Sequence, residues 1–324
     1  MHSCCIIKLG NGWRCGLRYT TLGSTGFEVS VVSFGTWTIG GADWGRVDDR
    51  DSIKAMRRAY ELGVNLFDTA PIYGNGHAET LVGQALADVR DQVFIATKCG
   101  PWEDEQGRLR LDLSPDGIRG QVEDSLRRLG TDRIDLLQVH WNDTMWPIDE
   151  TMRTLSDLVV AGKIRAFGVS NFNPAELEQA VAGGCATLQS PFSLLNIDVE
   201  RELLPACVRH GLGFLAYEPL GRGLLGGRYT AATRFEASDI RSSDPRFRGQ
   251  EFLENLGRVE SLRIAVQMHG MDTATAAIAW VCGQTGVTTA ICGARNATQA
   301  AANARAGDVL MDPGLTAKLR KIFS

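Results

Sequence analysis

An unbroken alternation of apolar runs with amphipathic segments constrains this chain more than any other feature. From Arg18 onward, VVSFGTW, NLFDT, VFIATK, DLLQVH, IRAFGVS, TLQSPF, GFLAYEP and TTAICG form eight such runs. They are near-continuously apolar, as strands are when both of their faces are covered. The segments between them have helical spacing and carry start and stop signals. Ser114-Pro115-Asp116 opens one that closes at Gly130, Asn173-Pro174 opens another, and Gly63, Gly162 and Gly211 end three more. Strand–helix alternation sustained over this length predicts an α/β fold, a (β/α)8 TIM barrel. A short N-terminal β-hairpin is expected in YTTLGSTGFEVS, and extra C-terminal helices after the last strand. Residues 1–17 read as an N-terminal extension, expected to be poorly ordered, with Cys4, Cys5 and Cys15 incidental to the fold. Residues 18–324 read as a single barrel.

Composition narrows the function. The net charge is −4 and no Lys/Arg-rich stripe occurs, so no nucleic-acid partner is expected. No apolar run reaches the ~18 residues of a membrane span, so no membrane partner is expected either. Eight cysteines show no CxxC pair and no Cys/His metal spacing. They read as reduced core thiols in a cytoplasmic protein, with no metal site. Cys99 follows Lys98, which favours a thiolate, yet it too reads as structural.

Gly221-Arg222-Gly223-Leu224-Leu225-Gly226 matches the G-x-G-x-x-G dinucleotide fingerprint. That motif requires a helix to open there, and the following RYTAATRFEASDIRSSDPRF has no helical apolar period. The match is set aside as a Rossmann signal, although its glycines still let a backbone approach phosphate. The stretch 226–250 is the longest irregular one, and loops of that length are usually functional or mobile.

In a barrel the strand C-termini converge on one face, where catalysis takes place. Asp68, Lys98 and His140 end the second, third and fourth strands, and Tyr73 lies in the loop after the second. Taken singly, each is an ordinary buried polar residue. Together they suit general acid chemistry. A free phenol has a pKa near ~10, an adjacent ammonium lowers it, and a carboxylate keeps that ammonium charged. The chain Asp68–Lys98–Tyr73 thus makes a usable acid near neutrality, and His140 orients a carbonyl. No side chain carries hydride, so a nicotinamide is implied. Ser170 and Asn171 end the fifth strand and Gln189 lies in the sixth, where they suit a carboxamide. Tyr217 ends the seventh, where its ring suits stacking on a nicotinamide. The stretch from Pro219 to Gly223 suits a pyrophosphate, and Gly293-Ala294-Arg295-Asn296 suits an anion at a helix N-terminus.

These residues resemble the aldo-keto reductase family. The motifs are LGSTGFEVS, FGTW, FDTAPIYGNGHAE, LVGQAL, ATK, DLLQVHW, GKIRAFGVSNF, AYEPLGRGLLGGR and GARNATQAAAN, from about Arg18 to the C-terminus. The second half is similar to the bacterial and plant branches. The resemblance implies reduction of an aldehyde, ketone or sugar carbonyl with NADP(H), preferred over NAD(H). It implies Tyr73 as general acid, Lys98 and Asp68 as its support, and His140 as the group that orients substrate. It places Ser170, Asn171, Gln189 and Tyr217 at the nicotinamide, and Leu220, Gly221 and Gly223 at the pyrophosphate. Gly293, Arg295, Gln299 and Asn303 fall at the adenosine phosphate end. Trp37 and Trp141, with Trp102 and the loop 100–113, wall the substrate pocket. Glu218 stands where a Ser is common, and Ala302 where a Glu often contacts adenine. An acid at 218 repels phosphates if it points inward.

Two rivals stay open at this level. One is a low-activity NADPH-binding regulatory subunit like the potassium-channel β-subunits. The other is a barrel glycosidase using Glu218, whose partner carboxylate is missing because His140-Trp141 ends the fourth strand. Monomer and homo-oligomer both remain open.

Overall fold

The computed structural model describes residues 6–9, 12–41, 44–45, 47–104 and 106–324. β1 (Ile6–Leu9) and β2 (Gly12–Cys15) pair antiparallel within the stretch read as an extension. Cys4 and Cys5 lie outside the described residues. β3 (Tyr19–Thr21) and β4 (Glu28–Ser30) form the hairpin that the glycine turns announce.

The barrel then builds in chain order. β5 (Val32–Gly35), α1 (Asp49–Glu61), β6 (Leu66–Asp68), α2 (His77–Leu86) and β7 (Phe94–Cys99) come first. A second hairpin, β8 (Pro101–Glu103) with β9 (Leu109–Leu111), interrupts the rhythm inside the loop 100–113. Next come α3 (Pro115–Leu129), β10 (Ile134–Val139), α4 (Ile148–Val160), β11 (Ile164–Ser170), α5 (Pro174–Ala182) and β12 (Thr187–Pro191). α6 (Leu203–His210), β13 (Gly213–Tyr217), α7 (Gly249–Gln267), α8 (Thr273–Cys282), β14 (Val287–Gly293), α9 (Ala297–Ala306) and α10 (Pro313–Phe323) complete the chain. The eight parallel strands β5, β6, β7, β10, β11, β12, β13 and β14 close on themselves, β14 pairing with β5.

Local chemistry explains the helix ends. Asp48 accepts from the N–H groups of Arg50 and Asp51 at the start of α1. Ser114 caps α3 ahead of Pro115, and Gly130 ends it in the left-handed conformation. Asn173 and Glu176 form a reciprocal capping box at α5. α6 starts later than the sequence suggests, because Asp198–Glu200 turns as a short 3-10 helix ahead of it. The stretch 226–250 carries two Asp-capped 3-10 turns, Ile240–Ser242 and Pro245–Phe247, and no α-helix until Gly249.

Two apolar clusters hold the barrel. The larger lies between the sheet and its helices and includes Phe67, Phe192, Phe214 and Trp280. Each such fully buried ring stabilises by about 1.5–3 kcal/mol relative to exposure. The smaller fills the barrel interior with Leu66, Ala96, Leu136, Leu215 and Ile291, together with Leu22, Phe27 and Val29 of the hairpin segment.

Candidate active site

The interior cluster dictates where the polar groups go. Side chains on a strand repeat every second residue on one face. Two residues beyond Leu66, Ala96, Leu136, Leu215 and Ile291 stand Asp68, Lys98, Gln138, Tyr217 and Gly293. The same inward face that is apolar at the barrel's base is therefore polar at its C-terminal mouth.

Lys98 is the hub. It is fully buried, and its Nζ donates to Asp68 Oδ1 at 2.7 Å and to the Thr69 carbonyl at 2.9 Å. Its third contact, at 3.4 Å, is the Tyr73 Oη. Burial holds the Lys98 ammonium below its ordinary range, and Asp68 works against that shift. The other carboxylate oxygen of Asp68 accepts from Gln189 Nε2 at 2.8 Å and from Gln138 Nε2 at 3.4 Å.

The backbone pins Tyr73. Gly74 has φ +61°, and a Cβ there would lie 2.0 Å from the Gly40 carbonyl oxygen. A Cβ on Gly40 would lie 2.7 Å from the Tyr73 carbonyl carbon. Only two glycines let the loop after β5 press this closely on the loop after β6.

Aromatic rings surround the phenol. Trp37 stacks beside Tyr73 with centroids 6.2 Å apart, and His140 meets it edge-on at 6.0 Å. Trp141 lies flat on His140 at 4.2 Å. Both expected pocket tryptophans, Trp37 and Trp141, thus flank the Tyr73–His140 pair. Trp141 and Trp102 are each about two-fifths exposed (40% and 41%), so this wall faces outward as well as inward. Burial, then the Lys98 charge, pushes the His140 pKa well down, leaving a neutral imidazole that can donate one hydrogen bond.

The strand-end amides join the same network. Asn171 Nδ2 donates to the His140 carbonyl at 3.0 Å and to Ser170 Oγ at 3.1 Å, and Tyr217 Oη donates to Asn171 Oδ1 at 2.8 Å. Asn171 takes the left-handed conformation at φ +61°, which asparagine tolerates better than most residues. A second group sits at the β14–α9 turn. There the Arg295 N–H donates to Gln299 Oε1 at 2.9 Å and Asn303 Nδ2 to the Gly293 carbonyl at 3.0 Å. The Arg295 guanidinium donates to the Trp44 carbonyl. In a third group, Gly221 and Gly223 already donate their N–H groups to the carbonyls of Glu218 (2.8 Å) and Leu220 (3.0 Å). Their missing side chains make room for Leu195 and for the Tyr229 hydroxyl. Leu220 packs against the main core. The fingerprint-like glycines open a 3-10 turn, Leu224–Gly226, as the rejection of a Rossmann helix requires.

Glu218 is not a bare acid. Its carboxylate accepts from Arg222 Nε at 2.7 Å and Arg246 Nη2 at 3.1 Å, and Asp244 pairs with the same two arginines. Arg222 also lies 5.6 Å over the Trp37 ring. These arginines escaped sequence reading, as did Gln138, whose only signal was an amide inside the apolar run DLLQV. Cys99 is inert, since burial pushes its thiol up to about 12.

The description "Aldo/keto reductase family" matches residues 31–323. The chain belongs to the aldo/keto reductase family. Among relatives of this aldo/keto reductase, "Aldo-keto reductase YhdN" of Bacillus subtilis (strain 168) is 40% identical, covering 87% of this chain and 86% of that one. "NADH-specific methylglyoxal reductase" of Escherichia coli (strain K12) is 33% identical over 90% of this chain and 93% of its own. Among solved structures, glycerol dehydrogenase AKR11B4 from Gluconobacter oxydans superposes with TM-score 0.87 at 37% identity, covering 94% of each chain. The aldo/keto reductase is thus an oxidoreductase of carbonyl groups working with a nicotinamide cofactor. Among its described residues no cluster could hold a metal ion, and no helix is long and apolar enough to cross a membrane.

Its residues fit such a dinucleotide. Burial, then the like charge of Arg241, holds the Arg295 guanidinium below its ordinary range, and Asp239 works against that shift. Buried Thr36 Oγ1, Thr38 Oγ1 and Trp44 Nε1 have no partner among the described residues. Glu218, next to the loop at 220–223, is compensated by Arg222 and Arg246.

Proposed function

We propose that this aldo/keto reductase reduces a small aldehyde, ketone or sugar carbonyl, reversibly, with NADPH preferred over NADH and Tyr73 as general acid. One observation carries the reading: Lys98 Nζ bridges Asp68 at 2.7 Å and the Tyr73 hydroxyl at 3.4 Å. The nicotinamide, when bound, supplies the hydride. The protein supplies the proton and the geometry. Tyr73 Oη gives its proton to the carbonyl oxygen, and the neighbouring ammonium stabilises the phenolate left behind. Asp68, fixed by two glutamine amides, keeps the ammonium in place. His140, neutral, donates to the carbonyl oxygen and orients it. Trp37 and Trp141 exclude water from one side. Ser170, Asn171, Gln189 and Tyr217 border the nicotinamide; Leu220, Gly221 and Gly223 border the pyrophosphate. Gly293, Gln299 and Asn303 hold the adenosine end.

The preference for NADPH rests on Arg295 at the N-terminus of α9, where a 2′-phosphate would meet a guanidinium and helix N–H groups. The Escherichia coli relative is NADH-specific by name, so the preference needs its own test. Arg295→Ala should weaken NADPH binding by ~10- to 100-fold, the scale of one charged hydrogen bond, and leave NADH little changed. Fluorescence titration with both nucleotides measures this, and equal effects on both would remove Arg295 from the phosphate. For the reaction itself, a panel of carbonyls and sugars is followed by nicotinamide absorbance. Lack of turnover with every simple aldehyde would leave a nucleotide-binding protein instead of a reductase.

A further inference from the structure

The backbone and the ring of His140 are held by different means. The His140 N–H donates to the Cys99 carbonyl at 3.0 Å, and the His140 carbonyl accepts from Asn171 Nδ2 at 3.0 Å. The ring lacks a comparable anchor at Nδ1, which is buried and has no hydrogen-bond partner among the described residues. A histidine that works on a ligand through one ring nitrogen is commonly oriented by a hydrogen bond at the other. Here a flat surface stands in for that bond. The Trp141 indole lies on the imidazole with centroids 4.2 Å apart and planes 1° apart. Trp141 is also 40% exposed, so burying its indole gains less there than it would in the core.

We propose that Trp141 is a positioning residue, which by stacking holds the plane of the His140 imidazole so that Nε2 meets the substrate carbonyl. The inference rests on the reading of His140 given above. The outer torsion of a histidine side chain has only a broad preference of its own. Backbone bonds at residue 140 do not restrain it. Tilting the imidazole about its bond to Cβ breaks the parallel contact with the indole, so the stack narrows the one torsion that decides where Nε2 points. Tyr73 meets the same ring edge-on, at 6.0 Å, so a tilt also changes how the two groups converge on one oxygen. The two residues are consecutive, so the hydrogen bonds that fix the backbone of His140 also fix the root of Trp141.

The test is a double-mutant cycle on the rate of carbonyl reduction, measured in single turnovers by the full chain with pre-bound NADPH. Trp141→Leu removes the flat face and should slow the reaction by ~3- to 10-fold, the scale of one aromatic pair. Trp141→Phe keeps a ring against the imidazole and should recover most of that loss. The loss should fall on the rate more than on KM, and equally for small and large aldehydes, because His140 touches the carbonyl of each. In a His140→Gln background Trp141→Leu should change the rate no further. A Trp141 that only walls the pocket behaves otherwise. Its loss appears in KM, grows with the size of the aldehyde and multiplies with that of His140→Gln. Any of these results, an unchanged rate in Trp141→Leu, or equal losses in the Leu and Phe variants overturns the proposal. If Trp141→Leu does not fold, Trp141→Gln takes its place in the cycle. His140→Gln separates the two levels. Full rate there removes His140 from the reaction and the stacking role with it, whereas a slowed His140→Gln with multiplying effects removes only the role of Trp141.

Discussion

Tyr73→Phe is expected to bind NADPH as the wild type does and to reduce carbonyls at least ~10²-fold more slowly, the usual scale of general acid catalysis. The change deletes one oxygen. The ring keeps its place beside Trp37, 6.2 Å away, and under the Lys98 ammonium, 5.1 Å from the ring centre. The Gly40–Gly74 backbone contact, which sets where residue 73 sits, is also untouched. What disappears is the proton that, in the proposed reaction, reaches the substrate oxygen as its carbon accepts hydride. Single-turnover rates with pre-bound NADPH measure the step directly, and the nucleotide dissociation constant checks that binding survived. Turnover within a few fold of wild type would take the acid role away from Tyr73.

The barrel was legible because its strands are buried on both faces, which makes apolar runs such as VFIATK and DLLQVH stand out. That Asp68, Tyr73, Lys98 and His140 come together was legible for a related reason. On one face of β6, β7 and β10 an apolar residue is followed two positions later by a polar one, as in Leu66/Asp68, Ala96/Lys98 and Leu136/Gln138. His140 and Tyr73 then follow from the position of the strand ends. The neutralisation of Glu218 could not be read this way. Arg222 lies four residues on, but Arg246 comes from the far side of an irregular stretch, and nothing periodic announces that pairing. Gln189 is a similar case: its contact with Asp68 joins residues 121 apart in sequence and exists only because the barrel closes. The glycines at 221 and 223 looked like a phosphate signal, and the sequence did not show that they also serve the fold itself. Their space is taken by Leu195 and Tyr229, and their N–H groups complete turns. The hairpin Pro101–Glu103 with Leu109–Leu111 was read only as a loop, because strands of three residues are too short to show a period.

Lys98→Met should have the broadest consequences, reaching both stability and rate. The lysine is fully buried, and its ammonium is the partner of Asp68, the Thr69 carbonyl and the Tyr73 hydroxyl at once. Methionine fills much of the same space and supplies none of those bonds. Asp68 is then left as a buried carboxylate with only the amides of Gln138 and Gln189, and breaking a buried pair in this way destabilises by about 3–5 kcal/mol. Denaturant unfolding of wild type and variant measures that loss. The rate should fall at least as far as in Tyr73→Phe, because a phenol without its ammonium is a weaker acid and its phenolate is unsupported. For the same reason the alkaline limb of whatever activity survives should move to higher pH. Adding Asp68→Asn separates the two effects. Removing both members of a buried pair costs less than removing one, so the double variant should regain most of the lost stability. It should regain none of the lost rate, since no cation has returned to the phenol. Recovery of rate together with stability would mean that Lys98 only holds the strand ends together and takes no part in the proton transfer.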